Sequence, residues 1–553
     1  MTNPVGIDLE IPLGKRRPLY RFFEMVPALI SYAMLIALVV LSIISPLAAG
    51  IYLLAIIITM IVKAFGMAFH SIVGHRRMTR AMRIDWASRL AQLEDPSTSY
   101  AEVAEHQSKG FDWQVHKENL RFAAADPESF PKPSEITNVV IITAYNESYD
   151  IIQPTFKSLM NSTYDMSRVV LAFAYEERGG EAIRQTVERL QSEFGDKFKA
   201  FLPIMHPADL PDEVVGKGPN ITYAAQQLEP WLHEQGIDDR NVIVTTLDCD
   251  NKPHAKYFDY LTYEFIVHEN RKHLSFQPIA LFFNNIWDAP APMRVLAVGN
   301  SFWTVISSMR PHLLRNFATH SQPMDALREM NYWSKRTIVE DGHQYWRSYF
   351  YFGGNYEVVP LHIPVYQDAV LAETFGSTLV AQFKQLRRWA YGASDVPYVA
   401  VRIFTRKRNV PFFQGLTRLV RLLDGHITLA TIAILVAIGG WVPLLINPDA
   451  SQSIVAHSLP TFISYLQRGA MVGLFVTIIL SLRLLPPRPA RYKRTRTIGM
   501  VLQWFLMPFT AIGYGAVSSL VSQTRLLTGR YLDKFDLTEK ATRDKVDLSE
   551  ESK

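Results

Sequence analysis

The sequence predicts an α/β domain with a mostly parallel sheet, inserted between transmembrane helices. Long apolar stretches lie near both ends of the 553-residue chain. Between residues 135 and 400, short strand-like apolar runs alternate with longer helical ones, which is typical of parallel strands joined by crossover helices. Because no apolar run in this middle region is long enough to span a bilayer, we expect the domain to be cytoplasmic.

The composition fits this organisation and excludes several classes of protein. The chain is long enough for a soluble domain and a membrane part. Its single cysteine, Cys249, excludes an internal disulfide framework and CxxC zinc sites. The formal net charge is +5, and the basic clusters lie beside apolar spans, where anionic lipid headgroups account for them. We therefore do not expect nucleic-acid binding.

The N-terminal 1–70 segment is predicted to be a transmembrane hairpin. Its apolar stretches 26–46 and 47–65 each approach the roughly 20 residues that cross the hydrocarbon core. The first is too long for the apolar region of a cleaved signal peptide, and a second follows at once. Basic residues flank the hairpin on both sides, so the positive-inside rule places both flanks in the cytoplasm.

The remaining composition shifts predict five further segments. The C-terminal transmembrane region contains two apolar stretches, at 427–446 and 462–482, which are long enough to be spans. The segments are a juxtamembrane helical linker (71–134), the soluble domain (135–400), an amphipathic interfacial helix (401–424), a C-terminal transmembrane region (425–522) and a cytoplasmic tail (523–553).

The last apolar stretch, 498–520, is flanked by basic residues on both sides. A single crossing would place one basic flank outside, against the positive-inside rule. Pro508 lies in the middle of the stretch, and non-helical backbone is tolerated at membrane depth where protein covers it. We therefore expect a broken or re-entrant segment that leaves both flanks cytoplasmic.

Two carboxylates, Asp248 and Asp250, directly follow a strand-like apolar run at 242–246. Ligands of open α/β sheets collect at the carboxyl ends of strands. Magnesium is usually held by one or two carboxylates together with substrate phosphate oxygens. The pair therefore predicts a site for a divalent cation and a diphosphate, whereas a solvated turn is the alternative.

Four short motifs together resemble those of the membrane-embedded processive members of glycosyltransferase family 2, which include cellulose, chitin and hyaluronan synthases. The resemblance covers about residues 136–400 and follows the order of motifs in that family. The motifs are TAYNES (143–148, similar to PxYNE), DCD (248–250), VEDG (339–342, similar to TED) and QLRRW (385–389, matching QxxRW). The resemblance implies that the soluble domain has the GT-A fold of nucleotide-diphospho-sugar transferases.

The resemblance also implies which residues bind the nucleotide sugar. Tyr145 offers a ring on which a uracil could stack, and Glu147 an acceptor for base or ribose donors. Where the family has an Asp-rich step, this chain has FAYEERGG, so Glu176 or Glu177 could replace the expected Asp. Lys217, in the GKGPN stretch whose glycines allow close backbone approach, could neutralise diphosphate charge. A flexible surface loop is the alternative for GKGPN.

The acidic motifs are assigned to metal binding and proton transfer on the same basis. Asp250 is predicted to bind Mg²⁺ or Mn²⁺, with Asp248 contacting the metal or the nucleotide. Asp341 is the candidate general base, and Glu340 is assigned to the acceptor side. The metal would offset charge on the departing nucleoside diphosphate. A pair at a helix N-terminus is the alternative for Glu340 and Asp341.

The QLRRW motif and the C-terminal tail supply the remaining candidates. Arg388 can hold phosphate oxygens, while Gln385 and Trp389 share its helical face and are assigned to the acceptor. KFDLTEK, at 534–540, is similar to the FxVTxK gating loop of cellulose synthases. Thr538 and Lys540 would then close over the bound nucleotide.

The resemblance implies a multi-pass enzyme of the inner (plasma) membrane with a cytoplasmic catalytic domain. The expected reaction is inverting, metal-dependent transfer of a sugar, most simply from a UDP-linked donor, to a hydroxyl acceptor. As a hexosyltransferase of family 2, it would make a polysaccharide and couple synthesis to export. The expected partners are the nucleotide sugar, a growing glycan or lipid acceptor, and membrane lipids. The alternatives are single transfer to a lipid, and a transporter with a nucleotide-binding regulatory domain.

Overall fold

The computed structural model describes residues 8–105, 110–447 and 454–532, which form two compact units. The first comprises the described part of Met1–Glu10 with Arg76–Leu281 and Ser307–Gln367. The second comprises Ile11–His75, Phe282–Ile306 and the described part of Asp368–Lys553. This division differs from the predicted boundaries, because 282–306 and 368–400 group with the long apolar helices and not with the sheet.

The first unit is built on a mixed eight-stranded sheet with the order β3-β2-β1-β4-β7-β6-β8-β5. Strands β1 to β4 pair in parallel, as the alternation of strands and helices predicts, and β7 runs antiparallel to both of its neighbours. The strands are β1 (Thr137–Ala144), β2 (Val169–Glu176), β3 (Ala200–His206), β4 (Val242–Asp248), β5 (Lys252–Pro253), β6 (Leu274–Leu281), β7 (His320–Pro323) and β8 (Glu357–Tyr366).

The helices are distributed over both units. In chain order they are α1 (Pro18–Ile44), α2 (Pro46–Arg83), α3 (Trp86–Ala91), α4 (Pro96–Glu105), α5 (Phe111–Ala125), α6 (Tyr149–Met160), α7 (Gly180–Phe194), α8 (Lys217–Glu234), α9 (Tyr257–Val267), α10 (Ala291–Ser308), α11 (Met324–Glu329), α12 (Glu340–Tyr351), α13 (Phe375–Ala390), α14 (Asp395–Phe404), α15 (Phe412–Ile438), α16 (Val442–Ile446), α17 (Ile454–Leu484), α18 (Thr495–Leu502), α19 (Met507–Thr510) and α20 (Val517–Thr528).

Strand β1 shows why the sheet is apolar on both faces. Val140 and Ile142 pack on one face into a core that includes helices α6, α7 and α9, and Val139 and Ile141 pack on the other with α8 and α11. Successive strand residues point to opposite faces, so a strand covered on both sides is apolar at nearly every position. All four side chains are fully buried.

Four helical stretches of the described residues are long and apolar enough to cross a membrane, namely Pro18–Ile44, Pro46–Arg83, Phe412–Ile446 and Thr495–Thr528. The predicted span 462–482 lies inside α17. The predicted boundary between an interfacial helix and a span, at 424/425, falls within α15, which is continuous from Phe412 to Ile438. Composition therefore located the helices, but it did not show where one helix passes from an amphipathic part into an apolar one.

The stretch predicted to be broken or re-entrant is an irregular helix. Its backbone is helical from Thr495 to Thr528, but a 3₁₀ turn at Gln503–Leu506 and a π turn at Ala511–Ala516 interrupt the α-helical pattern. Between them, Pro508 lies in the first turn of the short helix α19, where its missing N–H would have no intrahelical partner. The re-entrant course stays a prediction.

Contacts within the second unit place the end of this last helical stretch near the start of α1. Helices α1 and α2 follow one another, and the Tyr52 hydroxyl of α2 donates to the Met34 carbonyl of α1 at 2.8 Å. Helix α17 runs in the same direction as α2, since Leu53 and Ile463 share a core cluster and Gly473 faces Ala64. At its other end, α20 is held by Arg21 of α1, which donates hydrogen bonds to carbonyls of the last turn. The expectation that both basic flanks lie on one side of the membrane stays a prediction.

Candidate functional site

The candidate residues of the first unit lie at the carboxyl edge of the parallel strands. Thr143 of β1 pairs in register with Asp248 of β4 on one side and with Ala174 of β2 on the other. Tyr145 and Glu176 lie within two residues of these paired positions. Because parallel strands end at the same edge, residues from separate motifs come together there.

Lys217, the first residue of α8, links two of these motifs. Its Nζ donates to Oδ1 of Asp248 at 2.6 Å and to the carbonyl oxygen of Ala318 at 2.8 Å. Burial disfavours the charged amine, but the carboxylates of Asp248, Glu340 and Asp341 outweigh it and raise the pKa of Lys217. The structure therefore places one cation, whose side chain is 10% exposed, among three of the predicted acidic residues.

Gly218 explains how helices α8 and α12 can begin in contact. A Cβ at this position would collide with the carbonyl oxygen of Ser334 and lie 3.1 Å from Cβ of Glu340. Only glycine permits this approach. We expected the glycines of GKGPN to let backbone approach a diphosphate, whereas Gly218 lets the two helix starts pack together. GKGPN is accordingly no flexible surface loop, because Gly218, Pro219 and Asn220 are buried in α8.

Glu340 and Asp341 form the first turn of α12, as the helix-start alternative predicted. Glu340 is buried, and Oδ1 of Asp341 accepts a hydrogen bond from the Gly342 amide at 2.7 Å. The N-terminal end of a helix carries partial positive charge, which stabilises carboxylates. A position at the start of a helix does not conflict with the predicted role of Asp341 as general base, because the carboxylates of this turn are close enough to Lys217 to raise its pKa.

The turn that carries Asp250 is buried and held on both sides. Thr155 donates to the Cys249 carbonyl at 2.7 Å, and the Asn251 side chain donates to Thr319 Oγ1 at 2.6 Å. Asp250 itself is 8% exposed, and Cys249 is buried as a small spacer. A simple solvated turn does not describe this arrangement.

A hydrogen bond joins Tyr145 and Glu147 within one turn. The Tyr145 amide donates to Oε2 of Glu147 at 2.7 Å. Gly179, in the loop after β2, packs so closely on the Tyr145 carbonyl that a Cβ would collide with it. One oxygen of Glu147 thus supports the backbone, which differs from its predicted role as a simple acceptor for ribose or base.

Glu176 is also engaged by neighbours. Its carboxylate lies 3.2 Å from Nδ1 of His206, whose Nε2 lies 3.0 Å from Glu213, and Arg178 adds a contact at 3.5 Å. Burial lowers the pKa of His206, but the two carboxylates outweigh it and raise this pKa to about 9. Glu176 is therefore part of an ion-paired network and not a lone acceptor. His206 is the last residue of β3, which lies beside β2. This position at a strand end is the only signal from which sequence reasoning could have placed His206 near Glu176.

His320 is a second residue that sequence reasoning missed. Nδ1 donates to the Phe317 carbonyl at 2.8 Å and Nε2 accepts from the Trp333 indole at 3.0 Å, so the neutral tautomer is fixed. Burial lowers the pKa of His320 to about 3. The imidazole thereby holds the segment 317–320, whose Ala318 carbonyl binds Lys217.

The QLRRW residues lie on α13, in the second unit. The side-chain oxygen of Gln385 accepts a hydrogen bond from Gln382 at 3.0 Å. The Trp389 ring is 39% exposed, with its centroid 5.9 Å from that of Phe282. Arg388 follows in the last turn of the same helix. The predicted gating residues Thr538 and Lys540 lie outside the described residues.

Among the described residues, no group of three or more His, Cys, Asp or Glu side chains is arranged to hold a metal ion. The donor chemistry of Asp248 and Asp250 still fits a hard divalent cation, because magnesium commonly uses one or two carboxylates and completes its shell with water and substrate oxygens. In this structure the Lys217 ammonium lies against Asp248 at 2.6 Å. A cation bound there would share Asp248 with Lys217.

Comparisons with known proteins found no matching protein-family model and no similar curated protein. Solved structures do match. The mannosyltransferase PcManGT of Pyrobaculum calidifontis, in complex with GDP-Man and Mn²⁺, is 14% identical over 82% of this chain and 99% of its own, with a TM-score of 0.37. S. aureus TarS 1–349, in complex with UDP, is 11% identical over 73% of this chain and 94% of its own, with a TM-score of 0.32. Glucosyl-3-phosphoglycerate synthase of Mycobacterium tuberculosis, in complex with Mn²⁺, UDP and phosphoglyceric acid, is 13% identical over 45% of this chain and 77% of its own, with a TM-score of 0.26. These identities and TM-scores are too low to assign the chain to a family.

Proposed function

We propose that this protein is a membrane glycosyltransferase with a GT-A-like catalytic unit, which transfers a sugar from a UDP-linked donor to a hydroxyl acceptor. One observation carries the proposal. Lys217, Asp248, Glu340 and Asp341 come from three separate motifs and converge at the carboxyl edge of a parallel sheet. Such edges are where α/β sheets bind ligands, and these side chains suit a diphosphate, a cation and a proton acceptor.

In this proposal the donor diphosphate binds between Lys217 and the two aspartates. Lys217 contributes positive charge to phosphate oxygens, and it is held in place by Asp248 and the Ala318 carbonyl. Asp248 and Asp250 would hold Mg²⁺ or Mn²⁺, which would offset the charge on the leaving nucleoside diphosphate. Solved structures similar to this chain are complexes with nucleotides or Mn²⁺, which accords with this assignment.

Asp341 is proposed as the general base of a single displacement. It takes the proton of the acceptor hydroxyl as that oxygen bonds to the anomeric carbon, and the bond from that carbon to the diphosphate oxygen breaks with its electrons going to the diphosphate. One displacement inverts the anomeric configuration. The sole cysteine is buried, and the mechanism requires no second nucleophile.

The finer proposal is repeated transfer that builds a polysaccharide, coupled to its export through the neighbouring helices. It is supported by the QLRRW motif on α13 and by the four helical stretches that are long enough to cross a membrane. The competing outcome is a single transfer to a lipid acceptor, for which the helices would anchor the enzyme and present the lipid.

The test is to screen the purified full-length protein with several nucleotide sugars and Mg²⁺ or Mn²⁺, and to size the products. We expect Asp341→Asn to lower turnover by about 10²-fold or more, since general-base catalysis contributes roughly 10²–10⁴-fold, while donor binding survives. Asp196→Asn changes a largely exposed aspartate paired with Lys197 and serves as the matched control.

Each outcome separates one alternative. Long products support polymerisation, and a product one sugar larger than a lipid supports single transfer. A protein that binds the nucleotide sugar and transfers nothing with any acceptor would be a binding module, such as a regulatory domain of a transporter, and would contradict the proposal.

A further inference from the structure

The segment that precedes the first membrane helix is part of the first unit. Leu9 is 5% exposed and packs in a small core with Ala326, Met330 and Tyr351. Glu10 follows it and is the last residue of this segment assigned to the first unit. The chain therefore contacts the unit that carries Asp341 before it enters α1.

Arg347 binds this segment from the interior of α12. Its guanidinium is 1% exposed and pairs with the Glu10 carboxylate. It also donates to the carbonyls of Leu9 at 3.1 Å, Met330 at 2.8 Å and Tyr332 at 3.3 Å. Arg347 is six residues beyond Asp341 on the same helix, so whatever holds Arg347 also fixes the position of that helix.

The turn that Arg347 holds has an uncommon backbone. Asn331 and Tyr332 have φ values of 56° and 59°, in the left-handed region that residues other than glycine seldom adopt. Backbone of this kind persists where surrounding contacts over-determine it. Here the contacts are those of Arg347 and the hydrogen bond from the Trp333 amide to Thr222 Oγ1 at 3.2 Å.

Glu10 connects this turn to the start of α8. Its second carboxylate oxygen accepts a hydrogen bond from the Ser334 hydroxyl at 2.7 Å. The carbonyl oxygen of Ser334 is the atom on which Gly218 packs, next to Lys217. Burial opposes ionisation, but Arg347 and the Ser334 hydroxyl keep the pKa of Glu10 below its usual value. One carboxylate thus joins α12, which carries Asp341, to the turn on which the start of α8 packs.

We propose that Glu10 is a positioning residue for the site: its bridge between Ser334 and Arg347 sets the first turn of α12 against the first turn of α8, so that Asp341 and Lys217 meet in a working arrangement. The expected effect of Glu10 on turnover rests on the proposed function. Its expected effect on the structure rests on the observed contacts alone. It makes the N-terminal segment a component of the catalytic unit.

The experiment compares Glu10→Ala, Glu10→Gln and Ser334→Ala in the full-length protein. Glu118→Gln is the matched control, because Glu118 pairs with Arg121 at 2.8 Å on an exposed face of α5. Sites are counted by stoichiometric binding of UDP in the presence of Mn²⁺, and turnover is expressed per binding site. Hydrogen exchange is followed in the turn 330–334 and in the first turn of α12.

We expect Glu10→Ala to lower turnover per binding site by about tenfold or more, since misplacement of a catalytic group by 1 Å can cost about 10²-fold, and to raise the donor KM by less than about threefold. Ser334→Ala removes two hydrogen bonds, one to Glu10 and one from the Arg336 amide, and leaves no charge unpaired, so its turnover should fall by a smaller factor, about threefold. Exchange should rise in both segments for Glu10→Ala and stay unchanged for Glu118→Gln.

The inference is overturned if turnover per site is unchanged both in Ser334→Ala and in a Glu10 variant that still binds UDP. Unchanged hydrogen exchange in Glu10→Ala would also overturn it. If Glu10→Ala and Glu10→Gln lose UDP binding altogether, Ser334→Ala alone decides by the same criterion. A wild-type protein that transfers no sugar contradicts the proposed function, while the exchange data still test whether Glu10 holds the two helix starts.

Discussion

The two units use polar side chains differently. At the sheet edge of the first unit, the site groups are fixed by several neighbours each: Lys217 by Asp248 and Ala318, and His320 through both ring nitrogens. In the second unit, polar contacts tie together helices that are far apart in sequence, as between Arg21 and the last turn of α20, 505 residues away. Polar contacts in the first unit thus gather at one sheet edge, whereas those in the second unit join separate helices.

Among the variants that test this difference between the units, the largest effect should come from removing the Lys217 ammonium group. Lys217→Met keeps the aliphatic part of the side chain but leaves Asp248, Glu340 and Asp341 without their shared positive partner. A hydrogen bond involving a charged group is worth roughly 1.5–3 kcal/mol, so we expect the affinity for UDP to fall by about 10- to 100-fold. Titration calorimetry with UDP and Mn²⁺ measures this.

The matched control for that variant is Lys197→Met. Lys197 is an exposed lysine that pairs with Asp196 at 2.8 Å, and exposed ion pairs contribute about 0–1 kcal/mol to stability. Its UDP affinity should equal that of the wild type. Equal affinities in both variants would mean that Lys217 only stabilises the fold, and the sheet edge would lose its role as an anion site.

A pair of glycine substitutions gives the next effect. Gly218→Ala forces a methyl group against the Ser334 carbonyl, and overpacking of this kind costs about 1–3 kcal/mol. Gly376→Ala, in α13 of the second unit, meets no atom within 4 Å and should be neutral or stabilising by up to about 1 kcal/mol, since alanine favours helix. Thermal unfolding in detergent checks both, and a stable Gly218→Ala would contradict the close packing of α8 on α12.

Sequence reasoning found the parts of the fold and site whose signal is local. Alternating apolar runs predicted the parallel strands, and DCD, VEDG and GKGPN marked Asp248, Asp341 and Lys217. It missed the antiparallel strand β7 and the assignment of 282–306 to the second unit, because both depend on contacts between distant segments.

The supporting residues were missed for the same reason. Glu10 finds its partner Ser334 at a separation of 324 residues, and neither residue belongs to a motif. His320 bonds the indole of Trp333, and an isolated histidine in a sequence gives no sign of such a partner. Motifs therefore reveal the groups that could act on a substrate, but not the buried groups that hold them in place.

The smallest expected effect is a pH dependence that belongs to the first unit. His206 lies between Glu176 and Glu213, and these carboxylates raise its pKa from the usual 6.5 to about 9 in the folded protein, against the opposing effect of burial. The folded state therefore binds the proton more tightly than the unfolded state. The resulting stability is fully present below about pH 6.5 and is lost as the pH rises through about 9.

We expect the free energy of unfolding to fall by on the order of 1 kcal/mol between pH 7 and pH 8.5 through this group. His206→Gln keeps hydrogen-bonding capacity but cannot carry a proton charge, so its pH slope over this range should be flatter than that of the wild type. His233→Gln, at a half-exposed histidine beside Asp239, should retain the wild-type slope. Chemical denaturation at several pH values measures all three slopes. Parallel slopes for the wild type and His206→Gln would show that the imidazole is neutral at pH 7, and Glu176 would then have Arg178 and not His206 as its charged neighbour, which would leave it more available to a nucleotide base.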